Sequence, residues 1–168
     1  MKRLPKVLII GGAGYVGSML VPYLIKKSFH VTVIDLFIYG EDTIIENKNY
    51  NKIKADIRDY NFVKKIITQD YFDYIIHLAC ISNDPSFELN PDLGKSINFD
   101  CFEPLVDISK KNKIKKFIFA SSSSVYGIKE QKNVTEEESA NPITDYSKFK
   151  LMCENVLLNY KSKDFCPI

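Results

Sequence analysis

The chain has no long apolar run. No stretch of its 168 residues is apolar over the length a membrane-spanning helix needs. The first apolar segment, Val7–Ile10, follows Lys2 and Arg3 but breaks at glycines. It is too short for the core of a secretion signal and makes better sense as a strand. Charge of one sign is not in excess either. Lys and Arg number 23 against 21 Asp and Glu, a net +2, so nothing points to nucleic acid or to an anionic lipid surface. The lysines between Lys110 and Lys116 read as a solvated helix end, where positive charge is favourable. Cysteine is sparse and scattered. Cys80, Cys101, Cys153 and Cys166 form no C-x-x-C pair, which argues against a metal site or a disulfide framework. It suits reduced thiols filling a core in the cytoplasm. Repeats, low-complexity tracts and an interdomain linker are also missing, so one domain over 1–168 is expected.

Short apolar runs alternate with helical patterns. Lys6–Ile10, His30–Ile34, Asn51–Ala55, Tyr74–Leu78 and Lys116–Ala120 read as strands buried on both faces. Tyr15–Lys27, Tyr60–Gln69, Pro91–Lys111 and Asp145–Tyr160 read as helices, with Asp59 and Asn90 as N-caps and Pro91 at the first helical position. Ile97, Cys101, Leu105 and Ile108 give Pro91–Lys111 its helical period. Glu130–Pro142 is polar and turn-rich, a surface loop. Strand–helix alternation predicts an α/β fold, a doubly wound parallel Rossmann sheet of order 3-2-1-4-5.

The first strand runs into Gly11-Gly12-Ala13-Gly14-Tyr15-Val16-Gly17. Gly12, Gly14 and Gly17 satisfy G-x-G-x-x-G; Gly11, Gly14 and Gly17 equally satisfy G-x-x-G-x-x-G. The turn must be tight, the backbone must approach a pyrophosphate, and the helix must pack hard on the strand, so a side chain at any of these positions is expected to obstruct. The start of the following helix, with Tyr15 and Val16, offers free N–H groups to phosphate. Asp35 ends the second strand, where an acid accepts both ribose hydroxyls and repels a 2′-phosphate. Leu36, Phe37 and Ile38 follow it with no basic residue, so NAD is expected over NADP.

Two further motifs narrow the reading. Ser121-Ser122-Ser123-Ser124-Val125-Tyr126-Gly127 follows the fifth strand, and Tyr146 and Lys150 lie one turn apart on the last helix. In this order the chain resembles the extended short-chain dehydrogenase/reductases, the nucleotide-sugar epimerase/dehydratase family. The resemblance implies Tyr146 as the base that deprotonates a sugar hydroxyl while its carbon gives a hydride to NAD. It implies Lys150 as the ammonium that lowers the phenol's pKa and holds the nicotinamide ribose, and Ser122 as the donor that orients the reacting oxygen. Ser124 is a second candidate donor. The resemblance also places Asp56 and Ile57 at the adenine, Leu78 and Ala79 along the cofactor, and Asn98 near the nicotinamide. A helix-surface role for Asn98 stays open. His77 reads as a satisfied core residue rather than a catalyst, and Cys80 as a mild replacement of alanine.

Ser123 and Ser124 stand where the 4,6-dehydratase branch carries Asp and Glu, so water elimination is poorly supported and a 4-epimerase is the favoured reading. A dehydratase, a keto-sugar reductase and a non-catalytic dinucleotide-binding module remain alternatives. Family members are longer. The expectation is therefore the NAD-binding part of an enzyme, lacking the C-terminal strands and the substrate domain, with an exposed fifth strand and little turnover by itself. A nucleotide-sugar substrate is implied for the full-length form, and a homodimer through Pro91–Lys111 and Asp145–Tyr160, with Phe102, Leu105, Leu151 and Val156 serving inward and partner-facing contacts.

Overall fold

A computed structural model describes residues 3–40 and 47–168. The strands are β1 (Lys6–Ile10), β2 (His30–Asp35), β3 (Tyr50–Lys54), β4 (Tyr74–His77), β5 (Lys116–Phe119) and β6 (Cys166–Pro167). They form one parallel sheet of order β3-β2-β1-β4-β5-β6. The helices are α1 (Tyr15–Lys26), α2 (Tyr60–Gln69), α3 (Asp84–Glu88), α4 (Pro91–Lys95), α5 (Phe102–Lys111) and α6 (Asp145–Asn159). Among the described residues, no helix is long and apolar enough to cross a membrane.

Alternation of side chains along β1 supplies two cores. Leu8 and Ile10 point into a cluster with Ile34, Ile75, Phe117, Phe102, Leu105 and Leu157. Val7 and Ile9 point the other way, with Val21 of α1, Val31 and Val33. The reversal of winding falls between β1 and β4, and ligands of such sheets bind beyond the strand C-termini at that point.

Three expectations need correction. β3 is an edge strand with Asn51, Lys52 and Lys54 exposed rather than buried on both faces. The fifth strand is not an exposed edge. Phe165 is buried against Phe117, and this anchor lets Cys166 N–H reach the Lys115 carbonyl (2.9 Å) and Ile168 N–H the Phe117 carbonyl (2.9 Å). Pro167, which has no N–H, sits between them. Pro91–Lys111 is not one regular helix. A π-turn at Ser96–Asp100 separates α4 from α5, shifting the helical phase so that Asn98 turns inward. Phe102 and Leu105 are 0% and 3% exposed and supply inward contacts, as their spacing allows.

Candidate active site

The β1–α1 turn is built by close approach. Gly11 has φ +80, and a Cβ there would lie 2.3 Å from the Ala79 nitrogen at the end of β4. A Cβ on Gly17 would lie 2.0 Å from the Gly12 carbonyl oxygen, so α1 packs directly on the turn. Gly14 differs. Its nearest neighbour to an added Cβ is the Gly11 carbonyl at 3.6 Å, so the protein itself does not forbid a side chain there. Gly14 is also the N-cap of α1 and supplies no side-chain acceptor, whereas Asp59, Asn83, Asn90 and Thr144 cap α2, α3, α4 and α6. The space above Gly14 and the uncapped N–H groups at Tyr15 and Val16 form a cradle of the kind a pyrophosphate fills.

Asp35 has a second task that the sequence did not announce. One carboxylate oxygen accepts from the Ala13 N–H (2.8 Å) and the other from the Phe37 N–H (2.9 Å). Each oxygen retains a lone pair for a further donor. Leu78 and Ala79 donate their N–H groups to the Ile10 carbonyl at 2.7 and 2.9 Å, which brings the exit of β4 beneath the glycine turn. At the end of β3, Asp56 is gripped by Arg58, with Nη2 2.5 Å from Oδ2. That hydrogen bond, against the opposing effect of burial, holds the Asp56 carboxyl below its ordinary range. Ile57 turns its side chain into the core and leaves its backbone at the strand end.

Beyond β4 and β5 a second group gathers around Tyr146, which is 7% exposed. Ser122 and Cys80 are the side chains that act on its phenol most closely. Ser122 caps the short 3-10 turn Ser123–Tyr126, and its Oγ lies 2.8 Å from that of Ser124. Lys150, also buried, donates to the Ala120 carbonyl (2.6 Å). Its Nζ sits 4.6 Å from the centre of the Phe119 ring and 5.9 Å from that of Tyr146. Burial pushes the Tyr146 phenol upward, the neighbouring Cys80 sulfur and Asp84 carboxylate add to this, and Ser122 opposes them. The ammonium spends its short bond on Ala120 rather than on the phenol oxygen.

Asn98 is buried and not on the helix surface. Its amide accepts from the Ile81 N–H (2.8 Å) and donates to the Ile81 carbonyl (3.0 Å), clamping the segment that carries Cys80. His77 is core, as expected, packed among Phe102, Phe117 and Phe119. It is not fully satisfied, since Nδ1 is buried without a partner. Sequence reading missed α3, whose Asp84 and Phe87 reach the first turn of α6. The signal was present as Asn83 followed by Asp84-Pro85, an N-cap before an early helical proline.

The chain is similar to known proteins over most of its length. UDP-glucose 4-epimerase of Lactobacillus helveticus is 32% identical over 152 residues, which are 90% of this chain and 46% of that protein. The solved UDP-N-acetylglucosamine 4-epimerase of Methanobrevibacter ruminantium M1 is 30% identical with a TM-score of 0.87, covering 99% of this chain and 54% of its own. The NAD+ complex of WbmH from Bordetella bronchiseptica is 25% identical with a TM-score of 0.85, covering 99% and 55%. The chain thus spans about half the length of the relatives it matches. The family model described as NAD dependent epimerase/dehydratase family matches residues 7–168, and the chain belongs to that family.

Proposed function

We propose that this chain is the NAD-binding, proton-transferring part of a nucleotide-sugar 4-epimerase acting on a UDP-sugar. The observation that carries this is the convergence of Ser122, Tyr146 and Lys150 beyond β5, beside a Gly14 cradle and the ribose-accepting Asp35. The UDP-sugar 4-epimerase relatives support the substrate class.

In this reading Gly14, Tyr15 and Val16 receive the pyrophosphate on free N–H groups. Asp35 accepts the adenosine ribose hydroxyls with its remaining lone pairs and disfavours a 2′-phosphate. Asp56 and the Ile57 backbone face the adenine, and Leu78, Ala79 and Asn98 line or support the nicotinamide side. When bound, NAD would supply the acceptor for hydride from the sugar carbon and the donor for its return to the opposite face. Ser122 holds the reacting hydroxyl, and Tyr146 takes its proton at the phenol oxygen. Lys150 reaches the nicotinamide ribose and brings a positive charge to the phenol. Ser123 and Ser124 offer no carboxylate for water elimination, which favours epimerisation over dehydration.

The four unpaired thiols fit the reducing cytoplasm we assign. A homodimer through α5 and α6 would use the exposed Met152 and Leu158 rather than Phe102 and Leu105. The chemical step is tested by adding UDP-galactose to the NAD-loaded protein and following the absorbance of reduced nicotinamide. We expect Tyr146→Phe to slow its appearance by about 10²–10⁴-fold. Measurable reduction at equal rates in the two proteins would contradict the assignment.

A further inference from the structure

The short helix α3 is mostly exposed, with Pro85, Ser86 and Glu88 open to solvent. Two of its side chains tie it to the first turn of α6. Phe87 is fully buried and meets the Tyr146 ring edge-on at 6.4 Å and the Phe149 ring at 5.8 Å. It is backed by Gly94, where an added Cβ would come within 2.5 Å of the Phe87 ring. Asp84 accepts a hydrogen bond from the Thr144 hydroxyl. Thr144 is the N-cap of α6. Its side chain accepts from the Ser147 N–H (3.2 Å), and Ser147 Oγ in turn accepts from the Thr144 N–H (3.1 Å). The carboxylate is therefore bound to the residue that fixes where α6 begins, two positions before Tyr146.

We propose that Asp84, acting through Thr144, is a positioning residue for Tyr146: it seats the first turn of α6 and keeps a carboxylate charge beside the phenol. The inference rests on the reading of Tyr146 as the acid–base group. The sequence reading found no carboxylate here, because it sought one at Ser123 and Ser124 on the β5 side. The fold brings one from α3 instead. The phenol then faces Cys80 from the exit of β4, Asp84 from α3, Ser122 from the exit of β5 and Lys150 one turn further along α6. Asp145, on the same first turn, is paired with Lys148 at 3.0 Å. A carboxylate near a buried phenol makes its proton harder to remove. Asp84 thus opposes ionisation of Tyr146, while the Lys150 ammonium stands 5.9 Å from its ring centre.

The test reads the phenol directly. Tyrosines are replaced by 3-fluorotyrosine, the Tyr146 fluorine resonance is assigned by Tyr146→Phe, and its titration is followed by NMR. Asp84→Asn keeps an acceptor for Thr144 but removes the charge, and should lower the phenol pKa. Asp84→Glu, which keeps the charge, should titrate with the wild type. Thr144→Val cuts the tether and should give a smaller fall in the same direction. Asp84→Asn titrating with the wild type, or Asp84→Glu falling as far as Asp84→Asn, would overturn the proposal. If Asp84→Asn does not fold, Thr144→Val decides, and an unchanged titration there overturns it. NAD binding measured on the same samples separates the two claims, since the phenol shift is readable whether or not dinucleotide binds.

Discussion

Gly14 and Gly17 look alike in the sequence and differ in what constrains them. At Gly17 the obstacle is the protein's own backbone, whereas at Gly14 it is a space the protein leaves open. Gly17→Ala should therefore destabilise the fold by about 1–3 kcal/mol or more through overpacking. Gly14→Ala should cost stability about 1 kcal/mol or less, yet weaken NAD binding about tenfold or more, some 1.4 kcal/mol. Thermal unfolding and calorimetry on both variants check this, and wild-type affinity in Gly14→Ala would contradict the cradle. The motif could be read from spacing, but the division of labour among its glycines could not, because that depends on what the end of β4 and the Gly12 carbonyl bring near. His77 makes a second residue-scale prediction. Burial first, and the Lys150 charge second, lower its pKa from 6.5 to about 3. The unfolded chain then binds the proton that the folded chain refuses, so stability falls as pH drops below 6.5 toward about 3, by up to about 1.4 kcal/mol per pH unit. Between about pH 6 and pH 4 the wild type should lose denaturant midpoint faster than His77→Phe, whose ring suits the surrounding aromatic cluster. Parallel slopes would show that His77 carries no such load.

At the scale of elements, the strands with continuous apolar runs were legible because burial on both faces leaves a strong compositional mark. β1 falls at Lys6–Ile10 as the pattern predicts, and the caps at Asp59 and Asn90 accept from Phe62 and Leu93 N–H groups as their residue types imply. What was not legible depends on long-range contact. β6 has two residues and no pattern of its own. It exists because Phe165 fills a hole beside Phe117 and aligns the backbone that follows. The π-turn likewise arises from Asn98 serving both hydrogen-bonding groups of Ile81, a pairing 17 residues away. Phe165→Ala should cost about 3–5 kcal/mol, measured by denaturant unfolding, with faster amide exchange at Ile168, whose N–H bonds to β5. Unchanged exchange there would mean that β6 is held by something other than its anchor.

Over the whole molecule, the two halves of the site meet at the C-terminal edge of one sheet. The glycine turn and Asp35 lie at β1 and β2, and the Tyr146 group lies beyond β4 and β5. The residue types of both halves were visible in the sequence. Their approach was not, because it follows from the reversal between β1 and β4. Binding of the dinucleotide is the part of the proposed function that both halves of the site serve. The deciding measurement is calorimetric titration of the chain with NAD and with NADP, repeated on Asp35→Ala. The account predicts that NAD binds, that NADP binds more weakly, and that Asp35→Ala loses roughly 1–3 kcal/mol of NAD affinity. NADP binding as tight as NAD, or NAD binding untouched by Asp35→Ala, would contradict it.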